Sequence, residues 1–352
     1  MSIQIGSGVT IGSVTMSDQP LQAVVSVNNS SYPFAFRWNS AVGFGTQYTN
    51  PVTLSGNCRS VAFNNSGTAV AIGTTASPYV YVYQWNWASG FGAKYSDPST
   101  LPGGTVQSIA FSPNDDAVSV NTNAGSYINV YAWTNATGFG TRYTEPSWST
   151  KSTVDAVAFS PAGDVVMFGY TNLNYVVAWQ WNSATGFGTK YSQPANSPPG
   201  GAVYGIAFSP NSDAVILVGG SDNIYAYAWS YSSGFGSAYT KPGNWGSAGT
   251  TATEVAFNKT GTAVVISGNA GIAAWQWNSA TGFGTKYTPT NNPSSNTMYG
   301  VAFSPNDDAV VANGFANPIR AWAWSNSTGF GTEYSTPSMS GADTGFDIAF
   351  SP

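Results

Sequence analysis

Histidine is absent from this chain of 352 residues, and cysteine occurs once, at Cys58. Without an imidazole, the chain cannot form a Ser-His-Asp or Cys-His catalytic arrangement, and a His-ligated metal site is excluded as well. A single cysteine also excludes an intramolecular disulfide and a cysteine-based zinc site. We therefore expect Cys58 to be a space-filling residue.

Charge is scarce. Asp, Glu, Lys and Arg make up 7% of the residues, against about 25% in a typical soluble domain, and the formal net charge is -5. Ten Lys and Arg residues leave no basic surface that could follow a phosphate backbone, so we expect no binding of nucleic acid. Solubility must come from Asn, Ser, Thr and Gly, and a surface of this kind suits an extracellular or virion protein.

Long apolar segments are missing too. No run of about 20 apolar residues is present, so we expect no membrane insertion. The first residues, Met1-Ser2-Ile3-Gln4, lack the basic region and the apolar region of a secretory signal. Export by the Sec pathway is therefore not expected.

What the chain does contain is one unit repeated seven times. A Trp is followed five residues later by Gly-Phe-Gly and then by a Tyr, at intervals of 47 or 48 residues. The seven tryptophans are Trp38, Trp85, Trp133, Trp181, Trp229, Trp277 and Trp324. A second string, Val/Ile-Ala-Phe, recurs every 46 to 49 residues and ends at Phe63, Phe111, Phe159, Phe208, Phe257, Phe303 and Phe350. A fixed period of this length is typical of propellers, solenoids and arrays.

Each repeat is composed of short strands. Between Val106 and Pro146, apolar segments are separated by residues that favour turns. The segment from Tyr127 to Trp133 alternates with a period of two, which is typical of a strand whose two faces differ. Four such segments per repeat predict a four-stranded antiparallel blade. We therefore predict an all-β, seven-bladed β-propeller, a single domain in which each blade buries its faces against two neighbours.

The repeat resembles a known family. Its Ala-Phe-Ser-Pro strand, the following Asn-Asp-Asp turn at residues 114–116 and the Trp-terminated third strand before Thr-Gly resemble the WD40 repeat, which implies that family's A, B, C and D strand order. More narrowly, the unit with Gly-Phe-Gly-Thr-Lys-Tyr is similar to WD40-like propellers encoded in bacteriophage genomes. The likeness covers nearly the whole chain.

Two departures limit what the resemblance implies. The chain has no His, and the residue after the repeated Trp is Asn, Thr or Ser, where the family usually has Asp. The family's Asp-His-Ser/Thr-Trp hydrogen-bond network therefore cannot be carried over. In its place we expect the Phe of each Gly-Phe-Gly to be wedged between neighbouring blades.

The two chain ends predict how the ring closes. The C-terminal segment from Phe346 to Pro352 matches the A strand but has no B, C and D strands after it, whereas the first blade has only a weak A candidate at residues 14–17. Pairing of the C-terminal strand with the first blade would close the ring and remove an exposed sheet edge. We therefore divide the chain into a propeller, residues 18–352, and an N-terminal segment, residues 1–17. This segment either lies on the outer edge of the first blade or reaches a neighbouring molecule as a self-assembly arm.

Acidic residues offer few catalytic or metal sites. The doublets Asp115-Asp116 and Asp307-Asp308 recur at the same turn, which favours a role in turn geometry. The spacing of a glycine-rich calcium loop is absent, and we expect neither a metal nor a cofactor. Asp155, Glu254 and Asp347 form the one plausible catalytic trio, but they lie in different registers of their strands, so we predict that the protein is not an enzyme.

Binding residues are expected where the repeats differ. The turns at one end of every blade are nearly identical, whereas the loops at the other end vary, which suggests a partner without seven-fold symmetry. The residue two positions before each repeated Val/Ile should line the channel mouth on this variable face, and two loop tryptophans should complete its rim. The candidate binding residues are Arg59, Gln107, Trp148, Asp155, Tyr204, Trp245, Thr253, Tyr299 and Phe346.

These observations predict a non-enzymatic propeller in a bacteriophage virion, either a head-decoration protein or a tail-associated protein. Its partners would be other virion proteins or a glycan of the host surface, and its location the virion, with an extracellular or cytoplasmic location as the alternatives. A lectin-like carbohydrate-binding module is the second possibility, which loss of binding on Trp245→Ala with an unchanged fold would favour.

Overall fold

A computed structural model gives the fold. It describes residues 22–30, 32–52, 54–147, 152–171, 176–194, 201–220, 223–243, 245, 250–294, 296–339 and 344–352, together with the backbone of residues 4–5 and 9–10. All regular structure in these residues is β-strand, as predicted. Within the same residues there is no helix long and apolar enough to cross a membrane.

The strands form a short hairpin and seven four-stranded blades. The hairpin pairs β1 (Gln4–Ile5) with β2 (Val9–Thr10), and blade 1 contains β3 (Gln22–Asn28), β4 (Phe34–Asn39), β5 (Gly43–Gln47) and the C-terminal β30 (Gly345–Phe350). Blade 2 contains β6 (Cys58–Phe63), β7 (Ala69–Thr74), β8 (Val80–Asn86) and β9 (Gly90–Lys94). Blade 3 contains β10 (Val106–Phe111), β11 (Ala117–Thr122), β12 (Ile128–Thr134) and β13 (Gly138–Arg142). Blade 4 contains β14 (Val154–Phe159), β15 (Val165–Tyr170), β16 (Val176–Asn182) and β17 (Gly186–Lys190). Blade 5 contains β18 (Val203–Phe208), β19 (Ala214–Gly219), β20 (Asn223–Ser230) and β21 (Gly234–Ala238). Blade 6 contains β22 (Ala252–Phe257), β23 (Ala263–Gly268), β24 (Gly271–Asn278) and β25 (Gly282–Tyr287). Blade 7 contains β26 (Met298–Phe303), β27 (Ala309–Gly314), β28 (Asn317–Ser325) and β29 (Gly329–Glu333).

Ring closure by the C-terminal strand is confirmed. In blade 1, β30 is the inner strand and pairs antiparallel with β3, from Val24 opposite Phe350 to Asn28 opposite Gly345. Next to this ladder, the backbone N–H of Ala23 donates to Ser351 Oγ at 2.8 Å, and the N–H of Ser351 donates to the Ala23 carbonyl at 2.8 Å. The two ends of the propeller are therefore held in one sheet, as expected from a chain that leaves its first blade without an inner strand.

The hydrophobic core lies between the blades. The second strand of every blade is buried along its whole length, for example Ala263–Gly268, because both of its faces are covered by neighbouring sheets. Each core cluster combines side chains of two blades, as where Val218 of blade 5 joins Val264 and Ile266 of blade 6. This arrangement explains why the second strands are nearly continuous apolar runs without alternation.

The Tyr after each Gly-Phe-Gly makes the contact between blades, so the expectation that the Phe is wedged there is wrong. Phe91 packs edge-on against Trp85 of its own blade, with ring centroids 5.0 Å apart. Tyr48 of blade 1 instead packs against Trp85 of blade 2 at 5.1 Å, and its hydroxyl donates to the Trp87 carbonyl at 2.5 Å. A Cβ on Gly90, whose φ is +79°, would lie 2.7 Å from this tyrosine ring. The first glycine of the motif is therefore required both by its φ and by the neighbouring Tyr.

The acidic doublets lie in turns and also join blades. Asp116 accepts a hydrogen bond from Ser112 Oγ at 2.6 Å within its own turn. Asp115, whose φ is +55°, accepts from the backbone N–H groups of Asn65 at 2.7 Å and Ser66 at 2.9 Å in the preceding blade. These carboxylates are therefore occupied by the frame of the propeller.

The N-terminal segment, residues 1–17, lies outside the described residues except for the paired backbone of β1 and β2. Its separation from the propeller, and its role in self-assembly, stay predictions.

Candidate active site

The wall of the central channel is formed by the inner strands. The first strand of each of blades 2–7, and β30 in blade 1, contacts the inner strands of both neighbouring blades, which closes a ring of seven. The pairing of every inner strand with its neighbour contains a register shift near its start. The residue skipped by this bulge is in each case one of the predicted binding residues: Arg59, Gln107, Asp155, Tyr204, Thr253, Tyr299 and Phe346. A bulge redirects a side chain, and bulges are frequent beside functional sites.

These seven residues line one cavity of about 680 Å³ at an end of the channel. All seven inner strands contribute to its lining, so the structure brings together residues that are almost 300 positions apart in the chain. We name these seven positions the rim. Their role in binding a ligand stays a prediction.

The two loop tryptophans do not extend this rim. Trp148 lies outside the described residues. Trp245 is 8% exposed and packs against Trp275 of blade 6, with ring centroids 5.8 Å apart. Trp245 is therefore part of the core between blades 5 and 6, and its expected place on the rim is wrong because the ring is already covered by a neighbouring sheet.

A second ring of side chains lies one residue further along each inner strand. Its members are Ser60, Ser108, Ala156, Gly205, Glu254, Gly300 and Asp347. We name this the acid ring, because Glu254 and Asp347 occupy equivalent positions there, while Asp155 lies on the rim. The expectation that all three acids differ in register is thus wrong for two of them, and all three line the same cavity.

Two glycines of the acid ring leave room for the acids. A Cβ on Gly205 would lie 3.0 Å from Glu254 Cα and 3.1 Å from Glu254 Oε1. A Cβ on Gly300 would lie 3.0 Å from Asp347 Cα. Each acid is therefore accommodated by a glycine of the preceding blade, which sequence reasoning missed; the available signal was a glycine at a position where other repeats have Ser or Ala.

Asp347 is fixed by three donors. Its Oδ2 accepts from the Val61 backbone N–H at 2.9 Å and from Ser60 Oγ at 3.0 Å, both in blade 2, and its Oδ1 accepts from the Ile348 N–H at 2.7 Å. Burial raises the pKa of Asp347 to about 6, and the three hydrogen bonds oppose this rise because they favour the charged form. At neutral pH, Asp347 is consequently ionised and poised to accept a proton.

Glu254 has the opposite tendency. Burial, and then the charge of Asp347, raise the pKa of Glu254 well above its usual value, while a hydrogen bond from the Val255 N–H at 3.0 Å opposes the rise. Two carboxylates that influence one another do not ionise independently, and more hydrogen bonds favour the charged form of Asp347 than that of Glu254. The protonated form is therefore favoured more strongly at Glu254 than at Asp347.

Asp155 lies on the rim in blade 4. Its carboxylate accepts a hydrogen bond from the Thr171 hydroxyl, and burial raises its pKa to about 6, against the effect of that bond. Its charge in turn raises the pKa of Tyr204 on the next blade, in addition to the larger effect of burial on that tyrosine.

The rim contains one guanidinium. Arg59 lies over the ring of Phe346, with its Cζ 4.2 Å from the ring centroid, and Phe346 lies 5.9 Å from the ring of Tyr299. Arg59 Nε is buried and has no hydrogen-bond partner among the described residues. Burial lowers the pKa of Arg59, and the nearby Tyr299 opposes this.

The cavity can therefore support acid–base chemistry on a small polar ligand. A pair of carboxyl groups whose pKa values are pushed apart can act as general base and general acid. Among the described residues, no cluster of three or more Asp, Glu or Cys side chains has the geometry of a metal site.

Comparison with known proteins supports the propeller fold. No family model matches the chain, and no curated protein matches its sequence. Among solved structures, it is similar to the periplasmic gluconolactonase PpgL of Pseudomonas aeruginosa, with a TM-score of 0.72 and 14% identity over 94% of this chain and 99% of that one. A candidate 6-phosphogluconolactonase of Bacteroides uniformis has a TM-score of 0.68 and 15% identity, with coverage of 94% and 99%. A protein of unknown function from Desulfotomaculum acetoxidans has a TM-score of 0.66 and 11% identity, with coverage of 94% and 98%.

These neighbours correct the functional prediction. The seven-bladed propeller is established, but nothing in the comparisons connects the chain with the WD40 family or with a bacteriophage. The neighbours that carry a functional name are lactonases, so the prediction of a non-enzymatic structural or lectin-like protein is wrong. The expected virion location and partners stay predictions. At this level of identity the likeness establishes the fold alone, and the chemistry has to be argued from the cavity.

Proposed function

We propose that the protein is a hydrolase that opens small cyclic esters, such as sugar lactones, in the cavity at the end of its channel. The observation that carries the proposal is the pair Asp347 and Glu254: two carboxyl groups in one ring of the channel wall, with the pKa of one near 6 and that of the other well above its usual value. The names of the structural neighbours support lactones as the substrate class.

The reaction follows from the two protonation states. The Asp347 carboxylate accepts a proton from a water molecule, and the resulting hydroxide adds to the carbonyl carbon of the lactone. The bond between this carbon and the ring oxygen then breaks, and Glu254 donates its proton to the departing oxygen. The product is an open hydroxy acid, and transfer of the proton from Asp347 back to Glu254 restores the starting state.

The structure already fixes the orientation of the proposed base. Ser60 and Val61 hold Asp347 from the next blade, so the base keeps its orientation without help from the substrate. Gly205 and Gly300 allow Glu254 and Asp347 to pack closely against the neighbouring strands. The rim and the acid ring line one cavity, through which a small cyclic ester would reach the two acids.

The test is acid release from glucono-1,5-lactone, measured against its spontaneous hydrolysis. We expect catalysis by the native chain, with kcat/KM falling below a pH of about 6, where Asp347 becomes protonated. Glu254→Gln should lower kcat by roughly 10²- to 10⁴-fold, the usual contribution of a general acid. Asp97→Asn is the matched control, because Asp97 pairs with Lys94 at the outer surface, and it should retain full activity.

The proposal fails if the native chain does not accelerate the hydrolysis of any of several sugar lactones. It also fails if Glu254→Gln and Asp97→Asn have the same rate.

A further inference from the structure

Arg59 has no counter-ion among the described residues. Three carboxyl groups, of Asp155, Glu254 and Asp347, line the same cavity, yet none of them forms an ion pair with Arg59 in this part of the chain. Its buried Nε has no hydrogen-bond partner there, although a guanidinium has five N–H groups to donate. Arg59 lines the cavity, so a ligand bound there could supply an acceptor for the guanidinium.

The guanidinium is also held in one orientation. The guanidinium stacks on Phe346 at 4.2 Å, and Phe346 is supported by Tyr299. Stacking occupies the face of the planar group and leaves its edge free, and the edge matches the two oxygens of a carboxylate. Burial lowers the pKa of Arg59, which means that its charge is poorly solvated and that an anionic ligand would relieve this.

Arg59 lies next to a residue that holds Asp347. It precedes Ser60, whose Oγ donates to Asp347 Oδ2 at 3.0 Å, and it lines the same cavity as Asp347 and Glu254. A lactone bound at Asp347 could therefore place a substituent towards Arg59. The guanidinium is accordingly suited to a group that does not react.

We propose that Arg59 binds a second, non-reacting carboxylate, so that the preferred substrate is the lactone of a sugar diacid. This inference rests on the proposed hydrolytic function. A phosphate is disfavoured, because Arg59 is the one cationic side chain among the described lining residues, whereas three acids line the same cavity. A phosphate monoester concentrates about two negative charges on one group, which would meet more repulsion than one guanidinium offsets, while a carboxylate places a single charge there and has the planar shape of the guanidinium.

The first test compares kcat/KM for three lactones that differ in the group facing the rim. Glucaro-1,4-lactone carries a carboxylate, glucono-1,4-lactone a hydroxyl and 6-phosphoglucono-1,4-lactone a phosphate, so that all three have the same five-membered ring. We expect the carboxylate substrate to be preferred by about tenfold or more over the other two, as a charge-assisted bidentate contact allows. Arg59→Gln should bring the ratio of the glucaro to the glucono substrate close to one, and Arg59→Lys should restore part of it. Lys190→Gln, at an exposed cation of an outer strand, is the control and should keep the native ratio.

The second test measures binding without turnover, by calorimetry with glucarate. We expect glucarate to bind the native chain and to bind Arg59→Gln at least tenfold more weakly. If it does so while no lactone is hydrolysed, the carboxylate site stands and the hydrolytic function is wrong. If Arg59→Gln lowers kcat/KM equally for all three lactones, Arg59 acts on the reacting carbonyl and the inference is overturned. Equal binding of glucarate to the native chain and to Arg59→Gln would overturn it too.

Discussion

The two ends of the channel use polar side chains in opposite ways. At the end formed by the turns between first and second strands, which we name the turn end, polar residues recur from blade to blade and bond to the protein, as Ser112 does to Asp116. At the cavity end, equivalent positions hold Arg, Gln, Asp, Tyr, Thr, Tyr and Phe, and Arg59 Nε has no hydrogen-bond partner in the described part of the chain. In a seven-fold frame, recurrence therefore indicates structure, and its loss indicates a ligand that lacks the symmetry.

The turn end also shows that a departure from the repeat can have a structural cause. Asp115 follows a blade with Asn64-Asn65 in its turn and bonds to the N–H groups there. Where the preceding blade has Ser-Pro, the matching position is Gly or Ser, as at Gly163, whose added Cβ would lie 3.2 Å from Pro113 Cγ. Proline has no N–H to donate, so an acid would lose its partner. The Asp doublets thus vary with the turn they face, whereas on the rim Asp155 and Thr253 bond within the protein and Arg59 Nε has no hydrogen-bond partner among the described residues.

The largest effect is expected from replacing the proposed base at the cavity end. Asp347→Asn removes the proton acceptor, and we expect kcat/KM for a sugar lactone to fall by about 10²- to 10⁴-fold, since this is what a general base contributes. Thermal unfolding checks that the variant is folded. Asp307→Asn, at the turn end, is the control and should keep its activity; an equal loss in both variants would contradict the distinction between the two ends.

The next effect concerns a tryptophan that sequence reasoning placed on the rim. Trp245→Ala empties a core position against Trp275, and we expect the free energy of unfolding to drop by about 3–5 kcal/mol, measured by urea denaturation. Trp87, which is 51% exposed, is the matched control, and Trp87→Ala should change stability by no more than about 0.5 kcal/mol. Similar losses in the two variants would show that Trp245 is not a core residue.

Buried carboxylates at the cavity end should make stability depend on pH. Because the pKa of Asp155 is about 6 in the folded chain and about 3.9 in an unfolded chain, the folded state holds its proton more tightly. Stability should therefore fall as pH rises from about 4 to 6, by at most about 3 kcal/mol from this group. Urea denaturation at pH 4 and at pH 7 should show a smaller fall for Asp155→Asn than for the native chain. If stability falls equally between pH 4 and pH 7 in the native chain and in Asp155→Asn, burial does not raise the pKa of Asp155.

A smaller effect is expected where the turn end joins two blades. Asp307 accepts from the N–H groups of Lys259 at 2.7 Å and Thr260 at 3.0 Å in the preceding blade. Asp307→Asn keeps one oxygen and loses the charge, which should cost about 1–2 kcal/mol of stability, measured by thermal unfolding. Asp97→Asn, at an exposed ion pair, should cost less stability. If it costs more than Asp307→Asn, Asp307 does not stabilise the contact between the two blades.

The propeller fold could be predicted from the sequence because its signals are local and repeated. The Trp and Phe periods predict seven blades, and the surplus C-terminal strand predicts the closure. Sequence reasoning also found the rim, since those seven positions differ where the rest recurs. The proposed roles of Glu254 and Asp347 could not be predicted, because the surroundings of these acids are formed by other blades: Ser60 and Val61 donate to Asp347, and Gly205 and Gly300 allow close packing.

The smallest expected effect separates two versions of one repeated contact. Tyr95 donates from its hydroxyl to the Asn135 carbonyl of the next blade at 2.8 Å, whereas the equivalent Tyr287 accepts from Gln276 Nε2 of its own blade at 2.8 Å. Tyr95→Phe should cost about 0.5–1.5 kcal/mol, the net value of one hydrogen bond, while Tyr287→Phe removes an exposed bond and should cost less. Both variants keep the ring that packs on a tryptophan of the next blade, so thermal unfolding compares the hydroxyl alone. If the two variants lose the same stability, the bond between blades contributes nothing beyond the ring, and the packing of Tyr on Trp alone joins neighbouring blades.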